Sequence, residues 1–126
     1  MIKKTDKRPR RTNNFCVVVA KPIGFCSGVE RAIGMARRVM GRNGRVYSLG
    51  QLIHNPLVVK ELIAQGLEPI ENLRQAENGT LVIRSHGCAP ALMNEAEKFK
   101  IKIVDATCPN VAKVQRYAQN LSRDGY

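Results

Sequence analysis

Short apolar runs rich in β-branched residues alternate along this chain with longer segments that carry an apolar residue every three or four positions. Glycine and proline stand at the junctions between them. This alternation predicts an α/β fold in which a parallel sheet is flanked by helices. The predicted strands are residues 16–20, 46–49, 80–84 and 101–104, and the predicted helices begin at Ser27, Pro56, Ala91 and Pro109.

The strand predicted at residues 16–20 is apolar at every position, which is typical of a strand buried on both faces. Cys16 is therefore expected in the core.

Two helix starts carry further signals. Ser27 and Glu30 match a capping box, and Asn55 is a suitable cap before a proline at the first helical position.

The chain has a formal charge of +11, from 21 basic and 10 acidic residues. Six of the basic residues and one acidic residue lie within residues 1–14, which we interpret as a basic, disordered leader. Residues 15–126 are long enough for one α/β domain with its own core. The positive charge that remains on this domain suits an anionic ligand or an acidic protein partner.

The sequence also indicates a compartment. No apolar run approaches the roughly 18–20 residues that span a bilayer, and the first residues lack the apolar segment of a secretory signal. We therefore expect a cytoplasmic protein with no membrane partner. In a reducing compartment, cysteines favour metal binding or catalysis over disulfides. The four cysteines are Cys16, Cys26, Cys88 and Cys108.

Four residues of the types that bind metals and phosphates each follow a different strand or precede a different helix. They are Cys26, His54, His86 and Cys108. The loops that follow the strands of an open parallel sheet all emerge at one edge, where ligands bind. The topology therefore predicts that these four side chains, although distant in sequence, lie at the same edge.

The positions of these residues also fit their chemistry. Cys26 and Cys108 stand at predicted helix amino termini, where the helix dipole favours the thiolate that binds metal. Free N–H groups at such termini bind anions, and the nearby histidines can donate further hydrogen bonds to a phosphate. Taken singly, each cysteine is equally well explained as a small buried residue, and each histidine as a loop residue bonded to backbone. We interpret Cys88 as structural.

Four segments together resemble the 4-hydroxy-3-methylbut-2-enyl diphosphate reductase family, in the order in which that family carries them. They are Gly-Phe-Cys-Ser-Gly-Val-Glu-Arg-Ala-Ile at 24–33, His-Asn-Pro-Leu-Val-Val at 54–59, Arg-Ser-His-Gly at 84–87 and Asp-Ala-Thr-Cys-Pro-Asn-Val at 105–111. The resemblance extends over residues 17–126. It implies that the chain is the first part of a three-domain trefoil reductase.

The resemblance also implies a cofactor and a reaction. The family holds a [4Fe–4S] cluster with three cysteines, of which two match Cys26 and Cys108, while His54 and His86 match histidines that bind the substrate diphosphate. The implied reaction is the reductive removal of a hydroxyl group to give isopentenyl and dimethylallyl diphosphate, in the methylerythritol phosphate route to isoprenoids. Electrons would come from a ferredoxin or flavodoxin, both typically acidic. Cys16 and Cys88 match no family ligand.

Several functional residues of the family correspond to no residue of this chain. The third cysteine ligand, a third histidine and the glutamate of the proton relay are expected beyond residue 126, so the catalytic proton donor is unknown here. Two thiolates rarely hold a stable [4Fe–4S] cluster. We therefore expect the 126-residue polypeptide to be an inactive fragment on its own.

Two other functions compete with this interpretation. Cys26, His54, His86 and Cys108 are also the ligand types of a tetrahedral zinc site, although their spacing lacks the usual close pairs. The basic leader also suggests nucleic-acid binding, but three Phe, three Tyr and no Trp give little support for a stacking surface. We expect no specific nucleic-acid partner.

Overall fold

The computed structural model describes residues 10–12, 15–42 and 44–126. These residues form six strands, four α-helices and a short 3-10 helix at Leu73–Ala76. The strands are β1 (Arg10–Thr12), β2 (Phe15–Val17), β3 (Val46–Leu49), β4 (Leu67–Ile70), β5 (Thr80–Ile83) and β6 (Lys102–Asp105), and the helices are α1 (Ser27–Met40), α2 (Pro56–Ala64), α3 (Pro90–Lys98) and α4 (Pro109–Arg123).

A four-stranded parallel sheet forms the centre of the fold, in the order β4-β3-β5-β6. Val46 on β3 lies opposite Leu67 on one side and Thr80 on the other. The predicted parallel sheet flanked by helices is confirmed. The sequence did not predict β4 as a strand, because Glu68 and Pro69 interrupt its pattern. An edge position accommodates Pro69, since one side of an edge strand needs no ladder hydrogen bond.

The two faces of the sheet bury different side chains, because alternate residues of a strand point to opposite sides. On β5, Val82 packs in a cluster with α1 and α2. Its neighbours Leu81 and Ile83 pack in a second cluster with the 3-10 helix and α3. The sheet is therefore covered on both faces, as parallel sheets generally are.

The helices begin close to their predicted starts, although one cap differs. Asn55 accepts hydrogen bonds from the backbone N–H groups of Leu57 and Val58, at 3.1 and 3.2 Å, and so caps α2 as predicted. Helix α1 begins at Ser27, but its cap residue is Cys26 and no side chain bonds to the cap. The predicted capping box of Ser27 and Glu30 is therefore wrong.

The strand predicted at residues 16–20 is also wrong in its burial. Only Phe15–Val17 is a strand, and it pairs antiparallel with β1 outside the four-stranded sheet. Cys16 is exposed, and Val18 is 82% exposed. The apolar pattern indicates that burial would stabilise this run, but it does not show which other segment packs against it. Of the predicted disordered leader, residues 1–9, 13 and 14 lie outside the described residues.

Helix α4 is amphipathic but contributes no buried side chain. Its apolar residues Val114, Tyr117 and Leu121 are at least half exposed.

The described helices include none with both the length and the apolar character that a bilayer-spanning segment requires.

Gly79 gives a test of the core packing beside β5. A Cβ at this position would lie 2.5 Å from Cε2 of Tyr47, whose ring is buried and cannot move aside. We expect Gly79→Ala to lower the free energy of unfolding by about 1–3 kcal/mol, measured by urea denaturation. Gly34→Ala is the matched control. Its added Cβ meets nothing within 4 Å, so this change should stabilise α1 by about 0.5–1 kcal/mol. Equal stability of Gly79→Ala and the wild type would contradict the packing.

Candidate functional site

The carboxyl ends of the parallel strands bring the candidate residues to one edge of the sheet. The loop after β3 carries His54, the loop after β5 carries His86, and the loop after β6 carries Cys108. All three strands run in the same direction, so the three loops emerge together. Cys26 reaches the same region from the start of α1, which packs on β3 and β5. We therefore take this edge as the candidate site.

His54 and His86 form a pair of imidazole rings. Their ring centroids are 4.9 Å apart, and the ring planes are inclined at 44°. Both side chains are exposed, whereas Ser85 and Gly87 on either side of His86 are buried. The loop therefore presents His86 outward from an anchored backbone. Two imidazole N–H donors at this separation can bind the same multivalent anion.

The two cysteine-bearing segments contact each other through Gly28. Cys26 is the cap residue of α1 and Cys108 that of α4, and neither helix has a side-chain bond at its cap. A Cβ on Gly28 would lie 2.6 Å from Sγ and 3.0 Å from Cβ of Cys108. Only glycine allows the first turn of α1 to approach Cys108 so closely. In addition, the Arg31 guanidinium donates a hydrogen bond of 3.1 Å to the Thr107 carbonyl.

Hydrogen bonds also connect the Cys108 loop to the His86 loop. The Cys108 backbone N–H donates to the Ser85 carbonyl at 2.9 Å. In the Cys108 loop, Asp105 Oδ1 accepts from both the backbone N–H and the hydroxyl of Thr107. A hydrogen bond therefore connects Cys108, a candidate metal ligand, directly to the segment that carries His86, a candidate phosphate ligand.

The four candidate residues do not form a zinc site in the described part of the chain. Among the residues that the structure describes, no three His, Cys, Asp or Glu side chains come close enough together to hold one metal ion. The zinc alternative built from Cys26, His54, His86 and Cys108 therefore has no support in this part of the chain. The histidines form one pair, and Cys108 lies at the Gly28 contact.

The remaining cysteines differ in their environments. Cys16 is exposed on β2, so the prediction that it lies in the core is wrong. Cys88 packs against the cluster that includes Ile83 and Ala96, which agrees with its interpretation as structural. Burial raises the pKa of the Cys88 thiol and the Asp105 carboxylate raises it further, while Arg84 partly opposes both effects.

Sequence reasoning missed Gln115 as a member of this site. Its side-chain amide donates a hydrogen bond of 3.2 Å to the His86 carbonyl. Gln115 lies seven residues after Cys108 on α4, close to two full turns, and this spacing was the available signal. A cavity of about 290 Å³ lies beside the contact, and Cys88, Asp105 and Gln115 are among the residues that line it.

The Cys88 environment predicts a difference in thiol reactivity. Alkylation requires the thiolate, and a raised pKa keeps Cys88 protonated to higher pH. At pH 7–8 we expect iodoacetamide to modify Cys88 more slowly than the exposed Cys26, by about threefold or more, measured by mass spectrometry of proteolytic peptides. Raising the pH should narrow the difference, and denaturation in urea should remove it. Equal rates in the folded chain would contradict the burial.

Comparisons with known proteins agree on one family. The profile of the LytB protein family matches residues 17–126. The 4-hydroxy-3-methylbut-2-enyl diphosphate reductase of Geotalea daltonii is 43% identical over 110 residues, which is 87% of this chain and 39% of that protein. The reductase of the same name from Pelobacter propionicus is 46% identical over the same shares of the two chains.

Two solved structures resemble this fold. One is a structure of (E)-4-hydroxy-3-methyl-but-2-enyl diphosphate reductase, described as the terminal enzyme of the non-mevalonate pathway. It is 39% identical with a TM-score of 0.75, and the match covers 87% of this chain and 40% of that one. The other, the E-1-hydroxy-2-methyl-but-2-enyl-4-diphosphate reductase from Plasmodium falciparum, is 35% identical with a TM-score of 0.78 and coverages of 84% and 34%.

The chain spans about two fifths of the length of the curated relatives that it matches. The family match covers all four candidate site residues and the whole four-stranded sheet. The family that the four sequence segments predicted is therefore confirmed, and this chain belongs to the LytB family.

Proposed function

We propose that this chain supplies the amino-terminal part of an iron–sulfur reductase that converts 4-hydroxy-3-methylbut-2-enyl diphosphate to isopentenyl and dimethylallyl diphosphate. The observation that carries the proposal is the meeting of two kinds of ligand at one edge of the sheet. Two imidazoles lie 4.9 Å apart, and the loop that carries one of them, His86, is hydrogen-bonded to Cys108. The relatives at 43–46% identity are named as reductases of this substrate.

The histidine pair is suited to the diphosphate end of the substrate. His54 directly precedes the capped amino terminus of α2, where the helix dipole favours negative charge. His86 approaches the same point from the neighbouring loop. Both rings are exposed and can receive an anion from solvent. Hydrogen bonds to a charged group are stronger than neutral ones, so two donors fix both the position and the orientation of a diphosphate.

The two cysteines at the helix caps fit an iron–sulfur cluster as two of its thiolate ligands. Neither thiol is used to cap its helix, and the missing Cβ of Gly28 leaves room for the Cys108 sulfur beside α1. A third thiolate would come from a part of the enzyme that has no counterpart in this chain. When bound, a [4Fe–4S] cluster would supply single electrons and a Lewis-acidic iron.

Within this proposal the chain's own residues act by holding and orienting the substrate. His54 and His86 bind the diphosphate, and the Cys108–Ser85 hydrogen bond keeps the His86 loop at a set distance from the metal ligand. The substrate's hydroxyl-bearing carbon is thereby directed toward the cysteines. Orientation of this kind lowers the entropic cost of reaction before any bond changes.

The electron donor in this proposal is a ferredoxin or flavodoxin. The chain carries a formal charge of +11, and positive potential attracts acidic partners and accelerates their encounter.

A chimeric enzyme tests the proposed reaction. Residues 17–126 of this chain would replace the aligned segment of the Geotalea daltonii reductase, and anaerobic reduction of 4-hydroxy-3-methylbut-2-enyl diphosphate would be measured. We expect turnover and the brown colour of an iron–sulfur cluster. Cys108→Ser should abolish both, because a thiolate ligand is lost, whereas Cys88→Ser should retain both. A chimera that holds the cluster but gives no product would contradict the proposal, as would full activity of Cys108→Ser.

Binding of inorganic pyrophosphate to the 126-residue chain tests the diphosphate site separately. His54 and His86 are the only two histidines, so the imidazole Cε1–H region of a proton spectrum contains only their signals. We expect both signals to shift on addition of pyrophosphate. His54→Ala or His86→Ala should weaken binding about tenfold, the value of one hydrogen bond to a charged group.

Ser122→Ala, at the exposed far end of α4, is the control for this titration and should bind pyrophosphate as the wild type does. Pyrophosphate that moves neither histidine signal would contradict the assignment of His54 and His86. Unchanged affinity in both alanine variants would contradict it equally.

A further inference from the structure

Helix α4 contacts the loop at residues 84–87 through two hydrogen bonds from one face of the helix. Gln115 follows Cys108 by seven residues, which returns the chain to the same face after two turns. The Cys108 backbone N–H donates to the Ser85 carbonyl at 2.9 Å, and Gln115 Nε2 donates to the His86 carbonyl at 3.2 Å. Two successive carbonyls of the loop are therefore held by α4.

The backbone of this loop lies directly against α4 and the segment before it. Gly87 has a φ of +80°, and a Cβ there would lie 3.2 Å from Gln115 Nε2 and 3.3 Å from both side-chain branches of Thr107. A left-handed backbone angle together with such close neighbours requires glycine. Ser85 and Gly87 are buried, whereas the His86 side chain between them is exposed to solvent.

The peptide that joins His86 to Gly87 is already restrained on one side, because the Gly87 backbone N–H donates to the Arg84 carbonyl at 2.9 Å. The bond from Gln115 restrains the carbonyl of the same peptide, so that both of its polar groups are held and the direction in which the His86 side chain leaves the backbone is set. Rotation of that peptide would move the imidazole away from its position 4.9 Å from His54. The pairing of the two rings depends on this direction.

We infer that Gln115 is a positioning residue. It acts through His86 to hold the two imidazoles at a separation that lets both bind the same diphosphate. This inference rests on the proposed diphosphate-binding role of His86. Gln115 touches no substrate atom in this account. Its amide is required because it combines a neutral N–H donor with the reach to span from α4 to the loop, a combination that a carboxylate or an apolar side chain does not provide.

The test uses the 126-residue chain and inorganic pyrophosphate. Gln115→Met keeps the length of the side chain but removes the donor. We expect it to weaken pyrophosphate binding about three- to tenfold, the effect of one lost hydrogen bond. Gln119→Met makes the same chemical change one turn further along the exposed face of α4 and should leave binding unchanged. Amide spectra of both variants would verify that the fold is retained.

A second arm separates positioning from general loosening of the structure. In a His86→Ala background, Gln115→Met should have no further effect on affinity, because the residue through which Gln115 acts is gone. A structural role alone would weaken the remaining binding at His54 by the same factor in both backgrounds. Equal losses in the two backgrounds, or no loss in the wild-type background, would overturn the inference.

The outcomes also separate this inference from the proposed function. Wild-type binding that is insensitive to Gln115→Met would remove Gln115 from the site and leave the diphosphate role of the histidines intact. A wild-type chain that binds no pyrophosphate would overturn both.

Discussion

The parallel pairing of β3, β5 and β6 is the constraint on which the candidate site depends. Three of the four ligand-type residues follow these strands, and all three strands run in the same direction. If one strand were reversed, its loop would emerge at the opposite edge of the sheet. The buried alternation along the strands fixes their register, because a shift of one residue would exchange the two apolar faces. The core therefore determines where the chemistry lies, although none of its residues takes part in it.

Within this edge of the sheet, close packing and a hydrogen bond bring the neighbouring segments into contact at Cys108. Gly28 lets α1 lie against Cys108, and the Ser85 carbonyl accepts a hydrogen bond from the same residue. Cys108 is thus in contact both with the segment that follows Cys26 and with the loop of His86. A displacement of Cys108 would therefore disturb both the start of α1 and the loop of His86.

Much of this arrangement was predictable because it follows from local pattern and from topology. The helix start at Pro56 comes from sequence signals within a few residues, namely the Asn55 cap and the proline itself, and the shared edge follows from strand direction. Tertiary partners were not predictable in the same way. The exposure of Cys16 depends on which segment covers an apolar run. The helical spacing from Cys108 indicates the face of α4 on which Gln115 lies, but it does not identify the acceptor, the His86 carbonyl 29 positions away.

Helix α4 is held unevenly along its length. Its first half is tied to the sheet edge through Cys108 and Gln115, whereas Tyr117 and Leu121 in its second half lie open to water. An isolated helix of 15 residues is marginal in water, so the second half depends on the first for its order. Amide protons in the outer turns should therefore open by fraying, while those near Cys108 open only when the sheet edge itself comes apart. The part of α4 that serves the site is thus also its most durable part.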